Sequence, residues 1–395
     1  MVDRNQVWTG ALNGEVLAGG KRRRVGTYDT TLRDGEQTVG VVLEPEQKLE
    51  IARLLDAFGV DRIEAGFPRV SDEDWRAIEL IQGAGLRAEI WGFSRAVPDD
   101  VEAILSLGLR STVIEAPVSE VKLSALGVAP EEMLRRIRTA VSYAAQRNVR
   151  VAYFAVDGTR AELGFLERVY KTALDAGAQE LVVVDTIGVA TPEAAAFLVE
   201  KVLTWVGGDV PVHFHGHDDF GLATATSVAA VRAGASYVHG TINGMGERAG
   251  NTNLAEVSLA LDALYGIETG LDLRQVHKVA SRVRELSGYA LAPWTPLVGE
   301  NLFRRETGTA VAQFHLPQAI EPYSSDLVGA TRSIVLGKRS GRESVRIKGE
   351  ELGLAIAPEQ ERELLAKIKQ LASAKRGLVT DDEFRQMVTE LAPVD

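Results

Sequence analysis

Short apolar runs alternate with longer amphipathic stretches from about residue 25 to residue 265. The runs are rich in β-branched and aromatic residues, which is typical of β-strands, and the stretches between them carry apolar residues at helical spacing. Eight strands are predicted, at 25–30, 62–66, 87–92, 111–116, 149–156, 180–186, 210–215 and 237–242.

The stretches between the strands begin and end as helices do. Pro45, Ser71 and Thr191 open three of them, and such residues are typical of helix starts. Several end at glycines that allow a left-handed C-cap, namely Gly59, Gly85, Gly177 and Gly234. Eight strand-helix units in about 240 residues predict a (β/α)8 TIM barrel. A doubly wound sheet is the alternative, but no Gly-x-Gly-x-x-Gly turn follows the first strand.

The alternation stops after Gly266. The pattern is helical over 272–290, irregular over 291–345, and amphipathic over 358–374 and 380–391. We therefore expect three regions. They are an N-terminal lead-in at 1–24, a catalytic barrel at 25–270, and a mostly helical C-terminal extension at 271–395.

The composition is that of an ordinary globular protein, with 45% hydrophobic and 25% charged residues. A net charge of -11 argues against nonspecific binding to nucleic acid, and the absence of cysteine excludes disulfides and thiolate chemistry. The N-terminus lacks the apolar core of a signal peptide, and no apolar run approaches the roughly 18 residues of a membrane helix. We expect a cytoplasmic protein.

Three of the six histidines cluster at His213, His215 and His217, where the seventh predicted strand ends. Residues two apart on a strand share a face, and imidazole is a common ligand of divalent metal ions. Buried, hydrogen-bonded histidines are the alternative. The alternating spacing beside Asp218 and Asp219 favours a metal site, at the end of the strands where barrel enzymes have their active sites.

Two further strand ends carry polar groups. The first strand runs into a loop with Arg33, a candidate partner for a substrate carboxylate, and Asp34, a candidate metal ligand. A solvated ion-pair loop is the alternative. The eighth strand leads to the charge pair of Glu247 and Arg248 and to the carbonyl oxygen of Asn251. In a closed barrel the first, seventh and eighth strands are neighbours, so these segments converge.

The segments DTTLRDGEQ at 29–37, HGHDD at 215–219 and GERAGN at 246–251 resemble the isopropylmalate synthase and homocitrate synthase family of the DRE-TIM metallolyases. The resemblance extends from about residue 24 to at least 342 and is closest to homocitrate synthases of the nitrogen-fixation type. It implies that Arg33 grips a 2-oxo acid and that Thr186 and Arg248 bind the substrate, while His213 matches no ligand. The implied metal ligands are Asp34, His215, His217 and Asn251.

The resemblance implies an acyltransferase that carries out a Claisen-type condensation of acetyl-CoA with a 2-oxo acid, giving a 2-hydroxy di- or tricarboxylate. A divalent metal ion is implied, and the ligand set suits zinc, magnesium and manganese alike. The resemblance also implies a homodimer. The chain ends at Asp395, so we expect no leucine-sensing regulatory domain of the kind that long isopropylmalate synthases carry.

The acyl half of the family pattern is altered. A histidine of the C-terminal extension is replaced by Ala310, a glutamate on the fifth strand by Val156, and a histidine after the fourth strand by Lys122. Alanine cannot transfer a proton, so other groups must do so. The candidates are Glu64, Glu247 and Tyr323, with His315 as a further histidine near Ala310.

These departures leave three functions open. The first is the synthase, acting on an ordinary 2-oxo acid or on an unusual acceptor such as a phosphonate analogue of oxaloacetate. The second is a metal-dependent aldolase or lyase that acts on 2-oxo acids without acetyl-CoA. The third is a metal-binding regulator without catalytic activity.

Overall fold

The computed structural model describes residues 3–17 and 23–391. They form two compact units, one made of 14–17 and 23–291 and the other of 3–13 and 292–391. The functional division at residue 270 expected from the sequence stays a prediction. Among the described residues, no helix is both long and apolar enough to cross a membrane.

The first unit contains a closed barrel of eight parallel strands, which confirms the predicted fold. The barrel closes where the first strand pairs with the last, with Gly26 opposite Tyr237 and Asp29 opposite Gly240. All eight predicted strands are present. They are β1 Gly26–Asp29, β2 Arg62–Glu64, β3 Glu89–Arg95, β4 Ser111–Pro117, β5 Arg150–Val156, β6 Glu180–Asp185, β7 Val212–Gly216 and β8 Tyr237–Gly240.

Helices connect the strands and begin at the predicted signals. The Ser71 hydroxyl accepts a hydrogen bond from the Asp74 N–H, and Gly59 ends its helix with a φ of 97°. The helix before the barrel is α1 Ala11–Leu17. Those of the barrel unit are α2 Pro45–Phe58, α3 Asp72–Gln82, α4 Pro98–Ser106, α5 Glu120–Ala125, α6 Pro130–Ala145, α7 Leu163–Asp175, α8 Pro192–Val206, α9 Ala223–Arg232, α10 Leu254–Leu259 and α11 Val276–Ser287.

The interior of the barrel is filled rather than hollow. Inward side chains form one apolar cluster that is separate from the core between strands and helices. The Tyr28 ring stacks on His239 with ring centroids 4.1 Å apart and meets Trp91 edge to face. Because aromatic rings occupy the centre, a ligand that enters the barrel must lie toward an end of the strands.

A buried ion-pair network lies at the N-terminal end of the barrel. Arg62 donates to both carboxyl oxygens of Glu180, at 2.6 and 3.1 Å, and Nε2 of His213 lies 2.7 Å from Oε2 of Glu180. Nδ1 of His213 is 3.0 Å from Nε2 of His239. Burial raises the pKa of Glu180, but His213 and Arg62 outweigh it and lower that pKa from 4.5 to about 2. His213 therefore belongs to this network.

We expect Glu180→Gln to lower the free energy of unfolding by about 3 kcal/mol or more at pH 7, because it leaves Arg62 buried without its main counter-charge. In the wild type, the Glu180 carboxylate contributes its full stabilisation above pH 4.5. This stabilisation is lost as the pH falls toward about 2, since the folded-state pKa of Glu180 is depressed. The difference in free energy of unfolding between wild type and Glu180→Gln, measured with urea, should therefore be smaller at pH 3 than at pH 7. Glu285→Gln, which removes an exposed partner of Arg282, is the matched control and should change stability by about 0.5 kcal/mol or less. An equally small effect of Glu180→Gln would contradict the prediction.

The second unit is mostly helical. Its core includes Leu336, Val345, Leu364, Ile368 and Phe384. A short parallel pair joins Arg304–Arg305 to Ser333–Ile334. Its helices are α12 Gly308–Val311, α13 Arg342–Glu351, α14 Glu361–Lys375 and α15 Asp381–Leu391.

The helix α13 was not predicted, and its first residues lie in the segment expected to be irregular. Its buried face consists of Ser344, Val345, Lys348 and Gly349, so the apolar period that indicates a helix is almost absent. The helices expected at 358–374 and 380–391 are present as α14 and α15.

Candidate metal and substrate site

The three clustered histidines have different surroundings. β7 ends at Gly216, so His217 follows the strand, and His213 lies deeper in the barrel with Glu180. The Nε2 atoms of His215 and His217 are 3.2 Å apart. Oδ2 of Asp34 lies 3.3 Å from the first nitrogen and 3.7 Å from the second. The fold thus brings a carboxylate from the loop after β1 against two imidazoles at the end of β7.

The geometry of this cluster fits a divalent metal ion. Two ligand atoms about 2.1 Å from one ion are about 3.0 Å apart at a right angle and about 3.4 Å apart at the tetrahedral angle, and the histidine nitrogens are 3.2 Å apart. Oδ1 of Asp34 and Oδ1 of Asn251 are buried without a hydrogen-bond partner among residues 3–17 and 23–391. Buried acceptors normally have a partner, and a cation would supply it.

Asn251 reaches the cluster through the loop after β8. It forms an isolated bridge with His217, and its Nδ2 donates to the carbonyl oxygen of Met245 at 3.1 Å, which leaves Oδ1 as the acceptor. The loop depends on Gly246, whose φ is 158° and where a Cβ would collide with the Asn251 amide. A glycine is needed here for both reasons.

The protonation states in the cluster are those that bind metal ions. Burial raises the pKa of Asp34, but Arg33, His215 and His217 outweigh it and hold that pKa well below its ordinary value. Burial lowers the pKa of His217 to about 4, and His215 adds to this effect. At neutral pH, Asp34 is therefore an anion and His217 is neutral, and both have lone pairs available for a cation.

Arg33 joins the cluster to a second carboxylate. Its Nε and Nη2 donate to the two oxygens of Glu64 at 3.0 and 3.3 Å, and its Nη1 lies 3.2 Å from Oδ2 of Asp34. The guanidinium stacks 4.4 Å above the Phe93 ring. Burial raises the pKa of Glu64, and Arg33 opposes this effect. Since Arg33 occupies both of its oxygens, Glu64 orients the arginine.

Thr186 presents a hydroxyl group to the cavity beside the cluster. Its Oγ1 accepts a hydrogen bond from the Asp157 N–H at 2.6 Å, so the hydroxyl hydrogen remains available to a ligand. Arg248 donates to the carbonyl oxygen of Thr186 at 2.6 Å and to Asp219, and it pairs with Glu247. Arg248 thus links the loops after β6, β7 and β8, while Glu247 lines the cavity itself.

The cavity has a volume of about 480 Å³. Much of its lining is apolar, from Phe67, Phe93, Pro117, Leu126, Phe154 and Val156. Glu115 and Lys122 also line it, and Glu115 is absent from the site residues predicted from the sequence. The signal that indicates it is a single charge in the apolar strand 111–117, near the end where barrel sites lie.

The remaining candidates belong to the second unit. Tyr323 is half-buried, bridges Val7 and meets Phe303 edge to face. His315 is exposed, and Ala310 lies in α12. Their predicted roles in proton transfer stay predictions.

Two family models match this chain, one within each of its two compact units. Residues 24–283 match the HMGL-like family model, and residues 297–376 match the model described as Homocitrate synthase post-HMGL domain-like. This chain belongs to the HMGL-like family. The fold of this family is also seen in hydroxymethylglutaryl-CoA lyase from Pseudomonas aeruginosa, with a TM-score of 0.61 and 24% identity over 68% of this chain and 95% of that one.

Curated relatives in the HMGL-like family have different names. "Homocitrate synthase AksA" from Methanopyrus kandleri is 46% identical over 91% of both chains. "Probable 2-isopropylmalate synthase" from the same organism is 43% identical over 88% of this chain and 70% of the relative. "Putative (R)-citramalate synthase CimA" from Archaeoglobus fulgidus is 41% identical over 92% of this chain and 75% of the relative. The predicted DRE-TIM family and the predicted enzyme class, an acyltransferase, are confirmed.

Proposed function

We propose that this protein condenses acetyl-CoA with a 2-oxo acid and releases CoA and a 2-hydroxy di- or tricarboxylate. The observation that carries the proposal is the buried cluster of Asp34, His215 and His217 beside Arg33, at the mouth of a barrel of the HMGL-like family. Relatives named as homocitrate, isopropylmalate and citramalate synthases support the reaction type.

The metal ligands are proposed to be Asp34, His215, His217 and Asn251, with zinc, magnesium or manganese as the ion. Bound there, a divalent cation would act as a Lewis acid on the keto group of the 2-oxo acid. The side chains around it suit the rest of the substrate. Arg33 is a fixed cation for the oxygen that becomes negatively charged when the new C–C bond forms, and the Thr186 hydroxyl can donate to the substrate carboxylate.

The acceptor is proposed to carry a second anionic group. Lys122 lines the cavity and supplies a cation among aromatic and aliphatic neighbours. Such a site suits a distal carboxylate or phosphonate, and a phosphonate analogue of oxaloacetate remains a proposed acceptor. A homodimer is proposed from the family resemblance, and the cytoplasmic location expected from the sequence stays a proposal.

Thiol release from acetyl-CoA across a panel of 2-oxo acids tests the proposal, with Mg²⁺, Mn²⁺ or Zn²⁺ added after chelation of bound metal. We expect free thiol with at least one acceptor and none after chelation, with a preference for acceptors that carry a second anionic group. Release without metal would contradict the assignment of the cluster. No release with any acceptor would contradict the condensation itself.

A second candidate is an aldolase or lyase that acts on 2-oxo acids without acetyl-CoA. Val156 and Ala310 favour it, because these positions lack the proton-transfer groups that the family pattern has there. Incubation of single 2-oxo acids and 2-hydroxy diacids without CoA, followed by product detection, separates the two functions. Metal binding without any turnover in either experiment would instead support a regulator.

A further inference from the structure

Glu115 lies near the C-terminal end of β4, on the wall of the cavity. Its strand neighbours Ile114 and Ala116 are buried in the core between the strands and the helices. Because successive strand residues alternate between faces, Glu115 projects toward the inside of the barrel. A carboxyl group at this position loses hydration, which costs free energy, whereas an apolar side chain would not have this cost. The fold therefore has no need of this charge, which points to a chemical role.

The other acidic groups of the cavity are already paired. Asp34 faces the two histidines, and Oε2 of Glu247 pairs with the adjacent arginine. Glu64 is fully buried outside the cavity lining, and Arg33 donates to both of its oxygens. The Glu115 carboxyl has no hydrogen bond within 3.5 Å and no ion pair within 4.0 Å to any residue in 3–17 or 23–391. Glu115 is thus the acidic residue lining this cavity that has no side-chain partner within the described residues.

β5, one of the two strands beside β4, carries no carboxylate and no imidazole. β4 and β5 pair in parallel, with Glu115 opposite Phe154 and Pro117 opposite Val156. Neighbouring strands are about 4.8 Å apart and each residue rises about 3.3 Å, so the Cα atoms of Glu115 and Val156 are about 8 Å apart. Phe154 and Val156 both line the cavity. The Glu115 carboxyl is therefore flanked by apolar surface that suits a methyl group.

We propose that Glu115 is the base that removes a proton from the methyl group of the acetyl donor. The inference rests on the condensation proposed above. The C–H bond breaks, the proton passes to a carboxylate oxygen of Glu115, and the bonding pair forms the C=C bond of the enolate while the π pair of the thioester carbonyl moves to its oxygen. The enolate carbon bonds to the keto carbon of the acceptor, whose π pair moves to oxygen. The alkoxide then takes a proton from the Glu115 acid, directly or through one water, and water later cleaves the thioester to release CoA.

The electrostatic surroundings of Glu115 suit this exchange. Burial raises the pKa of Glu115, Arg33 and Lys122 oppose this shift, and Glu64 and Asp34 add to it, so that the pKa lies at about 7. Arg95, opposite Glu115 on β3, is a further charged neighbour, and the residues of β5 that line the cavity, Phe154 and Val156, are uncharged. A base with a pKa near the working pH is present in both protonation states and exchanges protons efficiently.

Glu115→Gln, which keeps the shape and removes the base, tests the proposal. We expect kcat for thiol release to fall by about 10²- to 10⁴-fold, with an unchanged KM for the 2-oxo acid and unchanged Mn²⁺ affinity by calorimetry. The wild-type rate should decline below a midpoint near pH 7, and the variant should lose this dependence. Glu120→Gln, at an exposed position where α5 begins, is the matched control and should behave as wild type.

A second variant separates proton transfer from a structural role. Glu115→Ala should be equally slow and should regain activity when formate is added, because a small carboxylate can occupy the vacated volume. An unchanged kcat of either variant overturns the proposal, as does loss of Mn²⁺ binding or of folding without rescue by formate. If the wild-type protein releases thiol but the Glu115 variants do not behave as expected, the condensation stands and the role of Glu115 as its base is overturned. If the wild type releases no thiol with any acceptor, both proposals are overturned.

Discussion

His217→Ala is expected to remove tight metal binding and to lower the rate of thiol release by about 10³-fold or more. Lewis-acid assistance contributes several kcal/mol to such reactions, and each 1.36 kcal/mol corresponds to a factor of ten in rate. His217 is the better choice of the two histidines because it follows β7, whereas His215 packs against Phe154 inside the barrel. The fold should therefore survive the change.

Mn²⁺ calorimetry and urea unfolding of the same preparations check this result. His277→Ala removes an imidazole from α11 and serves as the matched control, which should keep both metal affinity and rate. Tight Mn²⁺ binding by His217→Ala would disprove the proposed ligand set. Loss of binding together with loss of folding would instead indicate a structural role for this side chain.

Arg33→Met is expected to damage both stability and catalysis. It leaves the carboxylates of Glu64 and Asp34 buried without their main counter-charge, and breaking such a pair costs about 3 to 5 kcal/mol. It also removes the cation that offsets the developing alkoxide charge, which should lower kcat/KM by about 10²- to 10³-fold. Unfolding experiments and steady-state kinetics measure the two losses separately.

The double variant Arg33→Met with Glu64→Gln distinguishes these two roles. Removing the orphaned carboxylate should restore much of the stability and none of the activity. Arg33→Lys keeps the charge but loses the fork that binds both Glu64 oxygens, so an intermediate rate is expected. Activity that returns together with stability in the double variant would show that Arg33 acts only in folding.

The barrel was predictable because each strand is a short apolar run bounded by helix signals. The convergence of Asp34, His215 and Asn251 was predictable as well, since groups at the ends of neighbouring parallel strands must converge, while their role as metal ligands stays a prediction. The barrel and this convergence follow from strand period, helix signals and sequence order, whereas the ligand set is implied by the family resemblance. Neither requires knowledge of which side chains touch.

Roles that depend on contacts between distant segments were not predictable in the same way. His213 has the spacing of a ligand but lies against Glu180, a residue of another strand. Glu115 stands in an apolar strand, and only the closed barrel brings it near Arg33 and Glu64. The helix α13 was missed because Val345 is the single large apolar side chain of its buried face, so its position is set by packing rather than by its own pattern.

The seam at which β1 meets β8 has a consequence for the order of events in folding. Asp34 follows β1 and Asn251 follows β8, so the two ends of the barrel chain must come together before these groups share a ligand. Contacts so distant in sequence form slowly, because a long loop must close first. An ion that binds only the closed barrel stabilises the folded state by about 2.7 kcal/mol when its concentration is a hundred times its dissociation constant. A nascent chain that is released before β8 is synthesised lacks Asn251 and cannot gain this stabilisation from the ion.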